Sequence, residues 1–310
     1  MKISINRQPK KGPWGGGSKF VESMSSFLEN LDHNVIYDLN DPNIDIILMI
    51  DPRPNNECYG VNEIYKYKHY NPKVKVLHRI NECDARKNTN FMDNILIQSA
   101  NFADKVIFIS SWLRDYFSKK GMNVENSSII YNGCNTSHFF PPERKIQSDK
   151  IKLVTHHWSD NWLKGHDLYQ FIDENIVGEN YEFTYVGRYC KEYTPKKTKI
   201  IPPLWGPALA EEIKKHDIYV TASRFEPCGM HHIEGAACGL PVIYHKDGGG
   251  INELCKLHGE AYENFDNFKE KLFLVSKNIK KYASKIDYKN LDIQLCCEKF
   301  YNEIINLTAG

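Results

Sequence analysis

Two carboxylates, Glu226 and Glu234, stand eight residues apart in the stretch Glu226-Pro-Cys-Gly-Met-His-His-Ile-Glu234. An ionised carboxylate accepts hydrogen bonds from two vicinal hydroxyls at once, so the pair suits a ligand rich in hydroxyls. Between them Gly229 allows close approach of the backbone, and Met230 and His231 would offer free amides at a helix start, where an anion is favoured. Two acids at such a spacing are, by themselves, more often an acidic helix start and a solvent-facing side chain. Here the chain runs on through Gly239-Leu-Pro-Val-Ile243 to Gly248-Gly-Gly250 and Glu253, so glycines surround the pair.

Three further stretches carry residues of the right kind. Gly12-Pro-Trp-Gly-Gly-Gly17 lies between a short apolar run and a helical pattern; its spacing is not that of a dinucleotide fingerprint, and a plain turn is the commoner meaning. Leu77-His-Arg-Ile-Asn-Glu-Cys-Asp84 follows an apolar run, so His78, Arg79, Asn81 and Asp84 fall where parallel sheets place ligand contacts. Trp158-Ser-Asp-Asn-Trp-Leu-Lys164-Gly165 places a lysine after another such run, and Arg188 and Arg224 are two more cations in the same half. A solvated surface lysine is the plain alternative for Lys164.

The elements that must position these residues alternate along the chain. Runs rich in Ile, Val and Tyr are expected as strands over 3–5, 35–37, 44–50, 74–77, 106–109, 128–131, 152–155, 183–186, 217–221 and 242–244. Amphipathic stretches are expected as helices over 18–31, 91–102, 111–119, 167–174, 209–216, 231–238, 267–282 and 292–305. Strand and helix in alternation give an α/β protein with parallel sheets. At 310 residues the chain suits two domains. The segment Asn132-Gly-Cys-Asn-Thr-Ser-His-Phe-Phe-Pro-Pro-Glu143 reads as their linker, because its two prolines continue neither a helix nor a central strand.

A net charge of +1 and 41% hydrophobic residues argue against a dedicated nucleic-acid binder. The longest apolar run, Ile46-Ile-Leu-Met-Ile50, is far short of a membrane span, and the first residues lack a secretory core, so a cytoplasmic protein is expected. Nine cysteines without regular spacing read as reduced, buried thiols, and neither a disulfide framework nor a metal motif is visible.

Glu226, Gly229, Glu234, Ala236, Gly239 to Ile243, Gly248 to Gly250 and Glu253 together resemble the pattern of retaining GT-B glycosyltransferases of family four. The Asn132 to Phe139 segment is similar to the interdomain stretch of that family. The resemblance implies a GT-B fold, two Rossmann-like doubly wound domains facing a central cleft. It divides the chain into an acceptor-side domain 1–138, a donor-binding domain 139–291 and a helix 292–310 returning toward the first domain.

It also implies roles. Glu226 would contact the transferred sugar, with His78 and Lys164 as further catalytic groups. Gly16, Gly17, Arg188, Gly229, Met230, His231 and Glu234 would bind the donor, Glu234 at the ribose. Arg79, Asn81 and Asp84 would contact the acceptor. One departure stands out: where that family carries an arginine before its lysine, this chain has Trp158 or Ser159, so Lys164 would need another cation such as Arg188 or Arg224. The expected reaction moves a sugar from a UDP or GDP type donor to a saccharide, lipid-linked or protein-linked hydroxyl, with retention and with neither metal nor cofactor. Two alternatives stay open: a nucleotide-sugar binder without transferase activity, and a dinucleotide-dependent oxidoreductase, for which the usual glycine spacing is missing.

Overall fold

A computed structural model describes every residue except Lys11, Pro13, 55–57, 144–147 and Gly310, so Pro13 of the glycine-rich loop lies outside the described residues. The chain forms two compact units, Met1–Asn132 with Ile293–Gly310, and Gly133–Asp292.

The first unit runs β1 (Lys2–Ile5), α1 (Gly16–Glu29), β2 (Asn34–Ile36), β3 (Ile46–Met49), α2 (Val61–Tyr70), β4 (Lys75–Ile80), α3 (Met92–Ala100), β5 (Lys105–Phe108), α4 (Ser111–Lys119) and β6 (Ser127–Ile129). All pairings are parallel and the sheet order is β2-β1-β3-β4-β5-β6. The central strand β3, Ile-Ile-Leu-Met, is buried at every position, as a strand covered on both faces must be. The order reverses at β1 and β3, and there Asn6 joins the two strand ends: its Oδ1 accepts from Ile50 N at 2.6 Å and its Nδ2 donates to Asp51 O at 2.5 Å.

The second unit repeats the plan with β7 (Ile151–His157), a 3-10 turn Trp162–Lys164, α5 (His166–Asn175), β8 (Tyr181–Gly187), β9 (Lys199–Ile201), α6 (Gly206–Ile213), β10 (Ile218–Thr221), α7 (Met230–Ala237), β11 (Val242–His245), α8 (Ile251–Cys255), β12 (Gly259–Tyr262), α9 (Phe265–Lys277) and α10 (Ile279–Ala283). Its parallel sheet has the order β12-β11-β10-β7-β8-β9. Successive strands run outward from β7 on one side and from β10 on the other, so the reversal lies between these two neighbours. A loop from each opens at their carboxyl ends, which is where open α/β sheets bind ligands. Leu153, Ile218, Val220 and Ile243 pack with Leu168, Ile172 and Phe268 to form the core beneath that edge.

The last helix, α11 (Ile293–Ala309), belongs to the first unit. Its buried stripe, Ile293, Cys296, Cys297, Phe300 and Ile304, follows helical spacing, and Phe300 meets Phe20 of α1 with ring centroids 4.8 Å apart.

Several elements differ from the sequence expectation. Helix α2 was not expected: only Ile64 and Tyr67 of its ten residues are buried, so its Tyr and Lys alternation hides the period. Strands β9 and β12 are edge strands of three and four residues, too short to show a pattern. The helix expected over 267–282 is two, because Asn278 leaves the helical region at φ −131° and ψ 24°. None of the nine cysteines forms a disulfide, and eight of them are buried.

Candidate functional site

In the second unit three loops meet at the reversal between β7 and β10. The loop after β7 tightens into the turn Trp162–Lys164, started by Asn161, whose side chain accepts from Leu163 N at 2.8 Å. Gly165 then turns the chain into α5 at φ +91°. A Cβ there would lie 2.0 Å from Ala222 Cβ just past the end of β10, so glycine is required both for the turn and for the approach of the two loops. Arg224 N donates to Leu163 O at 2.9 Å and fastens the loops a second time.

The loop after β10 carries Glu226 to the start of α7. Phe225 holds a left-handed φ of +53°, uncommon for an aromatic residue and of order 1–3 kcal/mol in cost. Its neighbours hold it there: Phe225 N donates to Asp247 O at 2.8 Å, and Gly250 N donates to Glu226 O at 2.9 Å. The glycine run 248–250 after β11 thus pins the loop on which Glu226 stands. At α7 the N-cap is Gly229, where a Cβ would come within 2.5 Å of the His231 ring and 3.0 Å of Glu226 Cγ. The first turn of α7 contains no acidic residue.

Charged groups are paired on this edge. Lys164 Nζ bonds Glu226 Oε2, and both side chains are buried. Arg224 bonds Asp167 Oδ2. Glu234, one and a half turns into α7, takes a hydrogen bond from the His156 ring at 2.8 Å, and the other ring nitrogen of His156 meets Tyr219 OH at 3.0 Å. His231 bonds Thr221 Oγ1 through Nε2 at 2.9 Å, and His157 bonds Tyr169 OH at 2.7 Å. Burial holds His157 and His231 well below the ordinary imidazole value, with the Lys164 charge acting in the same direction, so both are neutral at pH 7. His232, also in α7, is buried with no hydrogen-bond partner on either ring nitrogen among the described residues, and burial lowers it to about 3.

Seven sequence-derived residues therefore share one strand edge: Glu226, Lys164, Arg188, Gly229, Met230, His231 and Glu234. Arg188 follows directly on β8, and its guanidinium carbon lies 3.9 Å from the centroid of Trp158, just past β7. The pairing of His156 with Glu234 was missed by sequence reading. His156 sits at the end of a strand run and so resembles a structural residue, and only the packing of α7 beside β7 reveals the contact.

In the first unit three residues, His78, Arg79 and Asp84, bond groups of the unit itself. His78 is fully buried within β4, with Nδ1 at 3.3 Å from Met49 O and Nε2 at 3.0 Å from Ser99 Oγ, and burial lowers it to about 4. Both ring nitrogens are engaged by the unit's own groups. Arg79 is likewise interior: it donates to Asn132 Oδ1 at 2.7 Å and lies 4.2 Å over the Phe20 ring, fixing a strand end to α1. Asp84 caps α3, accepting from Thr89 Oγ1 at 2.5 Å and from Met92 N and Asp93 N at 3.0 Å. Burial raises its carboxyl, but these bonds outweigh burial and leave it below the ordinary value. Arg79 and Asp84 thus both bond groups of their own unit. Asn81 keeps an amide 3.6 Å from the position of a Cβ on Gly17, with Arg7 NH1 at 3.5 Å. Gly16 and Gly17 open α1, which has neither a side-chain cap nor an acidic first turn.

Among the described residues no group of three or more His, Cys, Asp and Glu side chains is arranged to hold a metal ion, and no helix is long and apolar enough to cross a membrane.

Residues 169–291 match the family model described as glycosyl transferases group 1. Over 95 residues the chain is 32% identical to a probable sucrose-phosphate synthase of Thermosipho melanesiensis, a match covering 30% of this chain and 22% of that relative's length. Among solved structures it is similar to sucrose-phosphate synthase from Thermosynechococcus elongatus, with a TM-score of 0.74 at 13% identity over 99% of both chains. It is also similar to Anabaena HepE in complex with UDP and glucose, with a TM-score of 0.75 at 14% identity over 99% of this chain and 100% of that one. The fold is the GT-B fold, with a six-stranded parallel sheet in each unit.

Proposed function

We propose that this chain is a glycosyltransferase that moves a sugar from a nucleoside diphosphate sugar to a hydroxyl acceptor. The observation that carries the reading is the arrangement at the reversal of the second sheet, where Glu226 and Glu234 flank the uncapped start of α7, each held by a basic partner. Glu234, oriented by His156, grips the ribose. Glu226, oriented by Lys164, takes the hydroxyls of the transferred sugar. The amides of Met230 and His231, at the positive end of α7, face the diphosphate, and Gly229 lets it approach the backbone. The neutral His231 ring closes the floor without adding a charge that would vary with pH.

The match of residues 169–291 to the group 1 model supports a donor site in this unit, and the HepE complex supports UDP as the nucleotide. In the first unit Gly16, Gly17 and Asn81 remain as substrate contacts. Retention of configuration and turnover without a metal ion belong to the same proposal.

A panel of UDP and GDP sugars tested by thermal shift, followed by assay of nucleotide release, checks the reading. A donor that binds only the folded state raises the melting temperature in proportion to its affinity. Glu234→Ala is expected to weaken donor binding about tenfold, and Glu226→Ala to lower turnover while leaving nucleotide affinity within about twofold. Binding without release across a broad set of acceptors would make the chain a nucleotide-sugar binder instead. Activity abolished by a chelator would overturn the metal-free part.

A further inference from the structure

We infer that Arg188, seated on the indole of Trp158, is the cation that neutralises the donor diphosphate as it leaves, and that Trp158 is the positioning residue that presents it. This rests on the donor reading above.

The charges at the strand edge lead to it. Lys164 is committed to Glu226 and Arg224 to Asp167, while His157 and His231 are neutral. With Glu234 added, the cluster holds one more carboxylate than it has cations, which is unfavourable for a diphosphate unless further positive charge is near. In the transfer, the bond between the anomeric carbon and the terminal phosphate oxygen breaks with its electron pair left on that oxygen. The acceptor oxygen bonds to the anomeric carbon, and its proton is taken up by the released diphosphate. Negative charge therefore grows on the phosphate before that proton arrives, and a fixed cation there lowers the barrier.

Arg188 fits the need. Among the described residues no carboxylate lies within ion-pair distance of it, and its side chain is exposed. Its backbone is fixed at both polar groups: Arg188 N donates to His157 O at 3.0 Å, and Tyr185 OH donates to Arg188 O at 2.7 Å. Tyr185 OH is in turn 3.1 Å from the His166 ring. The preceding Gly187 makes the bend at φ +124°, where a Cβ would lie 2.0 Å from His157 O. His157 and Gly187 are register partners, so Arg188 leaves β8 beside Trp158, which leaves β7. The guanidinium then covers the indole face, 3.9 Å from its centroid. A cation on an aromatic face keeps its N–H groups directed outward in the guanidinium plane, ready for bidentate contact with phosphate. Because Arg188 already covers that face, the indole is a cation platform and not a free stacking surface for a base. Trp158 also begins the loop that carries Lys164, so both cations leave the same edge.

Titration calorimetry tests the inference with whichever of UDP and GDP binds the wild-type protein, together with the matching monophosphate. Arg188→Ala is expected to weaken the diphosphate at least tenfold and the monophosphate less than twofold. Trp158→Ala is expected to weaken the diphosphate about threefold to fivefold, with no further loss when combined with Arg188→Ala, and Trp158→Phe to restore most of the affinity. Circular dichroism and melting temperature confirm that the variants fold, and Arg188→Gln, at an exposed position, serves as a second variant. Diphosphate affinity within twofold of wild type in both Arg188 variants overturns the inference, as does an equal loss for diphosphate and monophosphate. If the wild-type protein binds neither diphosphate, the donor reading itself fails and this inference with it.

Discussion

Each unit has its own six-stranded parallel sheet whose order reverses beside its first strand, yet their strand edges differ in how polar groups are used. In the first unit His78, Arg79 and Asp84 spend their hydrogen bonds on Met49, Ser99, Asn132, Thr89 and the start of α3. In the second, the polar groups are paired across separate elements: Lys164 with Glu226, His156 of β7 with Glu234 of α7, Arg188 over Trp158. A polar cluster after a strand is therefore not by itself a site. What distinguishes the second edge is that two carboxylates with basic partners flank a helix start left without a side-chain cap.

The sharpest way to break this comparison is to remove one carboxylate from each edge. Glu226→Ala is expected to lower turnover roughly 100-fold or more, as loss of a group that acts on the transferred sugar should. Asp84→Ala is expected to leave turnover within about twofold and to cost about 1–2 kcal/mol of stability, the usual price of a lost helix cap, read by denaturant titration. If Asp84→Ala instead raised the acceptor KM without loss of stability, the structural assignment would be wrong.

Next in size is the glycine that joins the loops of the second edge. Gly165→Ala forces a Cβ to 2.0 Å from Ala222 Cβ at a left-handed φ, so the second unit is expected to lose at least roughly 1–3 kcal/mol, visible as a lowered melting temperature.

Acid separates the units in a third way. Burial lowers His166, His216 and His258 of the second unit to about 4 and His232 to about 3, whereas the first unit has one such ring, His78 at about 4, besides His33, lowered by burial and the N-terminal charge. A histidine whose folded value lies below its unfolded one takes up its proton first in the unfolded chain. Its stabilisation is full above the unfolded value near ~6.5 and is lost as pH falls toward the folded value. For well-buried rings such as His216 and His258 this is roughly 3 kcal/mol each by pH 4. The second unit is therefore expected to melt first as pH falls from ~6.5 to ~4.5, seen as separating transitions in calorimetry or earlier hydrogen exchange in that unit. Preferential loss of the first unit would contradict this. The smallest effect belongs to Asn81→Ala, expected to raise the KM of the acceptor a few-fold with stability unchanged, as removal of a half-buried amide contact should.

The fold was legible where strands are buried on both faces and helices carry a regular stripe, as in β3 and α11. It was not legible where burial is partial, as in α2, or where edge strands are only three or four residues long, as in β9 and β12. At the site, the glycines around Glu226 could be read as a pattern, but their separate duties could not. Gly250 pins the Glu226 carbonyl, Gly165 admits Ala222, and Gly187 turns Arg188 back toward Trp158. For His78 and Asp84 the sequence left the partner open for a physical reason. A polar side chain at a strand end is satisfied equally well by a ligand or by the next helix, and only coordinates show which partner is present.

The most direct test of the glycosyltransferase reading is nucleotide release from a UDP sugar, measured side by side for the wild-type protein and Glu226→Ala in the presence of an acceptor panel. The account predicts release by the wild type and a loss of roughly 100-fold in the variant, with UDP affinity held within about twofold. Equal release by both proteins would contradict it.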